Sequence, residues 1–153
     1  MKKATVILAV LVLSATSVLA GDLAFGPRLG YTDSGNLSQI HFGGHAEFRN
    51  LTTNLHIIPS VELGTGDGTL LAINGDLVYE FTELASDPWG FYGGGGPVLS
   101  YFEKDGFDST DFALNLVAGV TRTLNSNRHL FGELRVGLED APDLKLTVGM
   151  TFR

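Results

Sequence analysis

The chain contains no cysteine and, beyond Lys2 and Lys3, only two lysines, Lys104 and Lys145. Without thiols there is no disulfide framework, no thiolate metal site and no cysteine to carry a lipid anchor. Positive charge is scarce in general: Lys and Arg number 10 against 17 Asp and Glu, a formal net charge of −7. A nucleic-acid binder presents a basic face, so this balance argues against that class. Long apolar runs are missing too. The run at 4–13 falls short of the about 20 residues a spanning helix needs. No segment of useful length repeats its apolar residues with the 3.6 period of a helix.

What is present begins with an export signal. Met1-Lys2-Lys3 is followed by the short apolar run, then by Ser14-Ala15-Thr16-Ser17 and Val18-Leu19-Ala20 ahead of Gly21. A basic start, an apolar stretch and small residues before a cleavage point make a secretory signal peptide. Residues 1–20 are therefore expected to be removed, leaving 21–153 as one domain of 133 residues. Loss of the two lysines moves the net charge from −7 to −9.

The mature part is a succession of segments in which every second residue is apolar. They run over 23–31, 39–49, 55–64, 69–81, 90–102, 111–123, 128–139 and 144–152, and the last is the clearest: Leu144, Leu146, Val148, Met150 and Phe152 alternate with Lys145, Thr147, Gly149 and Thr151. A period of two puts these sets on opposite faces of a β-strand. Turn formers separate the segments, among them Asp67-Gly68, Asp105-Gly106, Asn125-Ser126-Asn127 and Asp140-Ala141-Pro142-Asp143. Eight strands joined by short turns predict an all-β, antiparallel up-and-down barrel.

Alternation does not say which face is inside. Four features favour an apolar exterior and hence a transmembrane barrel. A soluble barrel's outer face is usually lysine-rich, and here only Lys104 and Lys145 remain. The polar stripes mix long charged side chains with Gly26, Gly30, Gly43, Gly119, Gly137 and Gly149, as a crowded lumen requires. Tyr31, Tyr79, Phe81, Trp89, Phe91, Tyr101 and Phe152 gather near strand ends, where aromatic girdles meet the membrane interfaces. Finally, about ten tilted residues cover the roughly 25 Å apolar band of an outer membrane.

On these segments, on the glycine-rich stretch Trp89-Gly90-Phe91-Tyr92-Gly93-Gly94-Gly95-Gly96 and on the aromatic Phe152, the whole mature chain resembles the small eight-stranded outer-membrane barrels of the OmpA-domain, OmpX and opacity-protein type. The resemblance implies residence in the outer membrane of a Gram-negative bacterium with both termini periplasmic, contact with outer-membrane lipids and lipopolysaccharide, and Phe152 as the signal read by the barrel assembly machinery. Members of the family typically end on that aromatic, whereas here Arg153 follows.

The fold does not imply an activity. A lumen of eight strands is only wide enough for side chains, and its expected lining is nearly balanced in charge: Arg28, Arg135 and Lys145 with Glu47, Glu62, Asp76 and Glu133, beside His45. Buried charges are tolerable only when paired, so these residues are read as an interior polar network that seals the lumen. His41 and His45 stand four apart on one strand, about 13 Å, too far to share a metal ion. His56 is a neighbour for His45 across two strands, without a third ligand. A lipid-modifying enzyme would need a nucleophile and base on the lipid face, and the apolar stripes carry none. The reading is a non-enzymatic envelope protein with a structural or surface-interaction role and no cofactor or metal. The alternatives are a narrow ion or proton channel and a soluble secreted barrel that binds an apolar ligand.

Overall fold

The computed structural model describes residues 23–33, 38–138 and 144–153. The signal peptide at 1–20, Glu139 and the turns at 34–37 and 140–143 lie outside them. The described chain forms β1 (Leu23–Asp33), β2 (Ser38–Thr52), β3 (Leu55–Gly66), β4 (Thr69–Glu80), β5 (Trp89–Lys104), β6 (Phe107–Asn125), β7 (Arg128–Leu138) and β8 (Leu144–Phe152). Each strand pairs antiparallel with its neighbours in sequence, and β1 closes on β8, so that no edge remains. Closure satisfies backbone polar groups within the sheet, the condition for a β-structure to sit in hydrocarbon.

Five strands, β1, β2, β3, β5 and β6, are longer than the alternation predicts. The segment 103–110, expected as a loop, belongs to the β5–β6 hairpin, which turns on Asp105-Gly106 alone. Both turn residues have positive φ, 52° and 81°, the geometry that lets a two-residue turn follow the strand twist. A turn this tight lets pairing continue to Lys104↔Phe107, so Glu103 and Asp108 are strand residues rather than loop residues. β2 likewise continues to Thr52.

The alternation decides what faces out. Phe25, Ile40, Phe42, Val61, Phe112, Leu116 and Val148 are exposed, Phe112 at 69% and Val148 at 59%, whereas Arg28, Glu62, Asp76 and Arg135 are buried at 1–2%. This is the reverse of a water-soluble protein and contradicts the soluble-barrel alternative, which needs the apolar stripe inside. Three outward prolines interrupt the ladders, because each lacks an N–H to donate. Pairing skips a step at Pro27 between β1 and β8, at Pro59 between β2 and β3, and at Pro97 between β4 and β5.

The two rims differ. The proximal rim carries Leu23 and Phe152 together with the β2–β3, β4–β5 and β6–β7 turns, while the distal rim carries the β3–β4 and β5–β6 turns. Arg49, Arg122, Arg128 and Arg153 lie at the proximal end together with Glu47, Glu80, Glu83 and Asp87; the described distal end has Asp33, Asp67, Glu103, Asp105 and Asp108 with Lys104 at the rim and Lys145 just inside it.

Candidate functional site

The lumen is where chemistry-bearing side chains converge. All eight residues named from the sequence point into it and are buried: Arg28, His45, Glu47, Glu62, Asp76, Glu133, Arg135 and Lys145. Strand parity delivers them, since each occupies the face opposite an exposed apolar neighbour.

Six of them form one chain of alternating charge. Lys145 on β8 pairs with Glu62 on β3, and Glu62 forms an ion pair with Arg28 on β1 at 2.8 Å. Arg28 also pairs with Glu133 on β7. Glu133 lies 3.4 Å from Arg135, whose guanidinium reaches Asp76 on β4 at 2.6 Å. Three cations and three anions cancel, and the chain ties β7, β8 and β1 to β3 and β4 across the lumen. Neutralisation of this kind is what permits charges to be held away from water. The Arg28 guanidinium also lies over the Phe131 ring, 5.6 Å from its centroid.

Glu47 and His45 are not links of this chain. Glu47 sits toward the proximal mouth, where it forms an ion pair with Arg49 at 2.8 Å. His45 packs edge-on against Phe131 at 5.0 Å and has Thr151 Oγ1 within 3.0 Å of its Nε2. The approach of His56 to His45 considered from sequence is not made through register: His45 is paired with Ser60, and His56 instead lies between Glu47 and Glu80, at 3.9 and 3.4 Å. His41 is held separately, within 3.2 Å of both Thr32 and Thr147 hydroxyls. Among the described residues no three His, Asp or Glu side chains are placed to hold a metal ion.

Uncharged groups complete the filling. Asn115 donates to Asn74 at 3.3 Å and Asn74 to Ser60 at 3.1 Å, a row across β6, β4 and β3. Two apolar clusters line the β3–β6 side on either side of that row: Ala72, Val98 and Ala113 form one, Ile58, Val78 and Val117 the other, with Tyr92 against the second. These inward apolar residues and the inward aromatics Tyr92 and Phe131 were missed in the sequence. Their signal is the loss of alternation in β4–β6, where both faces read apolar. The large rings need space, and glycine provides it: a Cβ at Gly119 would collide with the Tyr92 ring and one at Gly149 with the Phe131 ring.

Little free volume remains. A cavity of about 40 Å³ opens at the proximal mouth among His45, Glu47, His56, Glu80 and Glu133. A second, of about 20 Å³, lies on the distal side beside Asn74, Ser100, Arg135 and Lys145. Each suits a water molecule or two, and the charge chain lies between them.

No protein-family model matches the sequence, and no curated protein does. Solved structures do. The barrel is similar to Neisserial surface protein A, with a TM-score of 0.63 at 17% identity over 85% of this chain and 94% of that one. It is similar to the N-terminal β-barrel domain of Pseudomonas aeruginosa OprF, with a TM-score of 0.62 at 14% identity over 84% and 96%. A de novo designed transmembrane β-barrel aligns with a TM-score of 0.58 at 15% identity over 85% and 92%. At such identities the likeness is one of fold: the chain has the architecture of the small eight-stranded outer-membrane β-barrels.

Proposed function

We propose that this barrel is a closed, non-enzymatic component of the bacterial outer membrane, with its proximal rim in the periplasm and a structural or surface-interaction role at the distal rim. The export signal, the exposed apolar belt and the fold shared with outer-membrane barrels support the location. In this reading Phe152 serves the barrel assembly machinery during insertion, and outer-membrane lipids, lipopolysaccharide included, are the constant partners.

The observation that carries the closed state is the neutral chain Lys145–Glu62–Arg28–Glu133–Arg135–Asp76 between two cavities of only about 40 and 20 Å³. An ion crossing the lumen would have to break pairs whose members are otherwise buried, leaving uncompensated charge. Purified protein in planar bilayers is expected to show no sustained current at moderate voltage. Steady, reproducible openings of the unaltered protein would make the narrow channel the better reading.

A further inference from the structure

Among the described residues Arg122, Arg128, Arg153 and Lys104 form no ion pair, and two of them are seated on aromatic rings. Arg122 on β6 and Arg128 on β7 both point outward at the proximal rim and are exposed. Arg122 is paired across the ladder with Leu130, two residues from Arg128, so the two guanidinium groups stand on diagonal neighbours, about 7–8 Å apart at the backbone. Each is seated on an aromatic ring of the girdle: Arg122 lies 5.3 Å from the Trp89 centroid and Arg128 5.9 Å from that of Phe152. Among the described residues neither guanidinium forms an ion pair, whereas Arg28, Arg49 and Arg135 all do.

An arginine laid on an interfacial aromatic keeps its donors free, and its planar fork suits a phosphate. We infer that Arg122 and Arg128, with Trp89 and Phe152 beneath them, form a binding surface for the phosphodiester headgroup of an anionic phospholipid in the leaflet at the proximal rim. The chain's net charge of −7, or −9 once Lys2 and Lys3 are lost, works against general attraction of anionic lipid. Enrichment must therefore come from a local site. The distal rim, with Asp67, Glu103, Asp105 and Asp108 around Lys104, offers no counterpart among the described residues. The inference rests on the membrane reading above.

Trp89 is the only tryptophan in the chain and therefore reports on this site without labelling. The protein is reconstituted in phosphatidylcholine vesicles containing equal fractions of brominated phosphatidylglycerol or brominated phosphatidylcholine, and the quenching of Trp89 is compared. Brominated phosphatidylglycerol is expected to compete for the site at least roughly fivefold better, the factor that one interfacial arginine confers on an anionic lipid. The preference should fall close to one in Arg122→Gln with Arg128→Gln and be retained only in part in Arg122→Lys with Arg128→Lys, which keeps the charges but loses the planar fork. Equal quenching by both lipids, or a preference untouched by the glutamine pair, overturns the headgroup site while leaving the membrane reading intact. Absence of quenching by either lipid overturns both. Quenching by brominated phosphatidylcholine also verifies that each variant has inserted.

Discussion

Arg135 shows how much a single side chain depends on its surroundings here. It is 1% exposed and contacts two acids, Asp76 and Glu133. Arg135→Met would strand Asp76 without a cation, and breaking a buried pair from one side typically destabilises by about 3–5 kcal/mol. Removing both charges is a different matter, since Arg135→Met with Asp76→Leu leaves no widowed carboxylate and lines that side with apolar atoms near Ala72 and Val98. The double variant should therefore be more stable than Arg135→Met alone, with an interaction term of roughly 0.5–3 kcal/mol. Urea unfolding of the refolded barrel for both single variants and the double measures it. Simple additivity would mean that the two groups do not interact. Both residues were legible in the sequence as inward and charged, but their partnership was not: they stand on β7 and β4, and alternation along each strand says nothing about reach across the lumen.

At the level of the strand, the two faces obey opposite rules. Leu134 and Val148 face outward on β7 and β8, beside Gly132 and Leu146, while Glu133 and Thr147, one residue away on each strand, are paired with one another and buried. A cation at mid-membrane on the lipid side costs about 2–4 kcal/mol. Val148→Arg and Leu134→Arg are expected to lower the stability of the refolded barrel by that amount in lipid vesicles, and Thr65→Arg at the distal end of β3 by much less. Equal losses at all three positions would place Val148 and Leu134 outside the hydrocarbon. Strand order and facing were readable from period-two patterning because a slip of one residue would bury the whole apolar stripe. Strand length was not, because it depends on turn geometry: the positive φ of Asp105 and Gly106 extends β5 and β6 through residues whose charge suggests a loop.

The molecule as a whole is polarised along its axis: arginines and carboxylates balance at the proximal rim, whereas carboxylates outnumber cations among the described residues of the distal rim. If the proximal rim faces the periplasm, the β5–β6 turn lies at the cell surface and the β4–β5 turn does not. The absence of native cysteine makes the test clean. Asp105→Cys should react with a membrane-impermeant maleimide on intact cells, and Glu83→Cys only after the outer membrane is opened. The converse labelling pattern would invert the proposed topology. Glu83→Cys, exposed in a turn, is expected to leave stability unchanged, while Asp105→Cys should cost about 1 kcal/mol because its φ of 52° suits Asp better than Cys.

The sequence by itself determined the number of strands, their order, and which residues face lipid and which the lumen. Those follow from alternation, turn chemistry and the physical demand that hydrocarbon meets only apolar groups. It also marked the charged residues of the lumen, since inward parity is a local property. The tertiary structure alone decided that six of those eight residues join in one neutral chain and that Glu47 and His45 stand apart at the proximal mouth. It alone decided that two apolar clusters line part of the lumen, with Tyr92 against one of them, and that Arg122 and Arg128 rest on Trp89 and Phe152 without an ion pair among the described residues. These are relations between strands, set by ladder register and barrel closure. They bring together residues as distant in the chain as Arg28 and Glu133, for which the order of amino acids along any one strand carries no information.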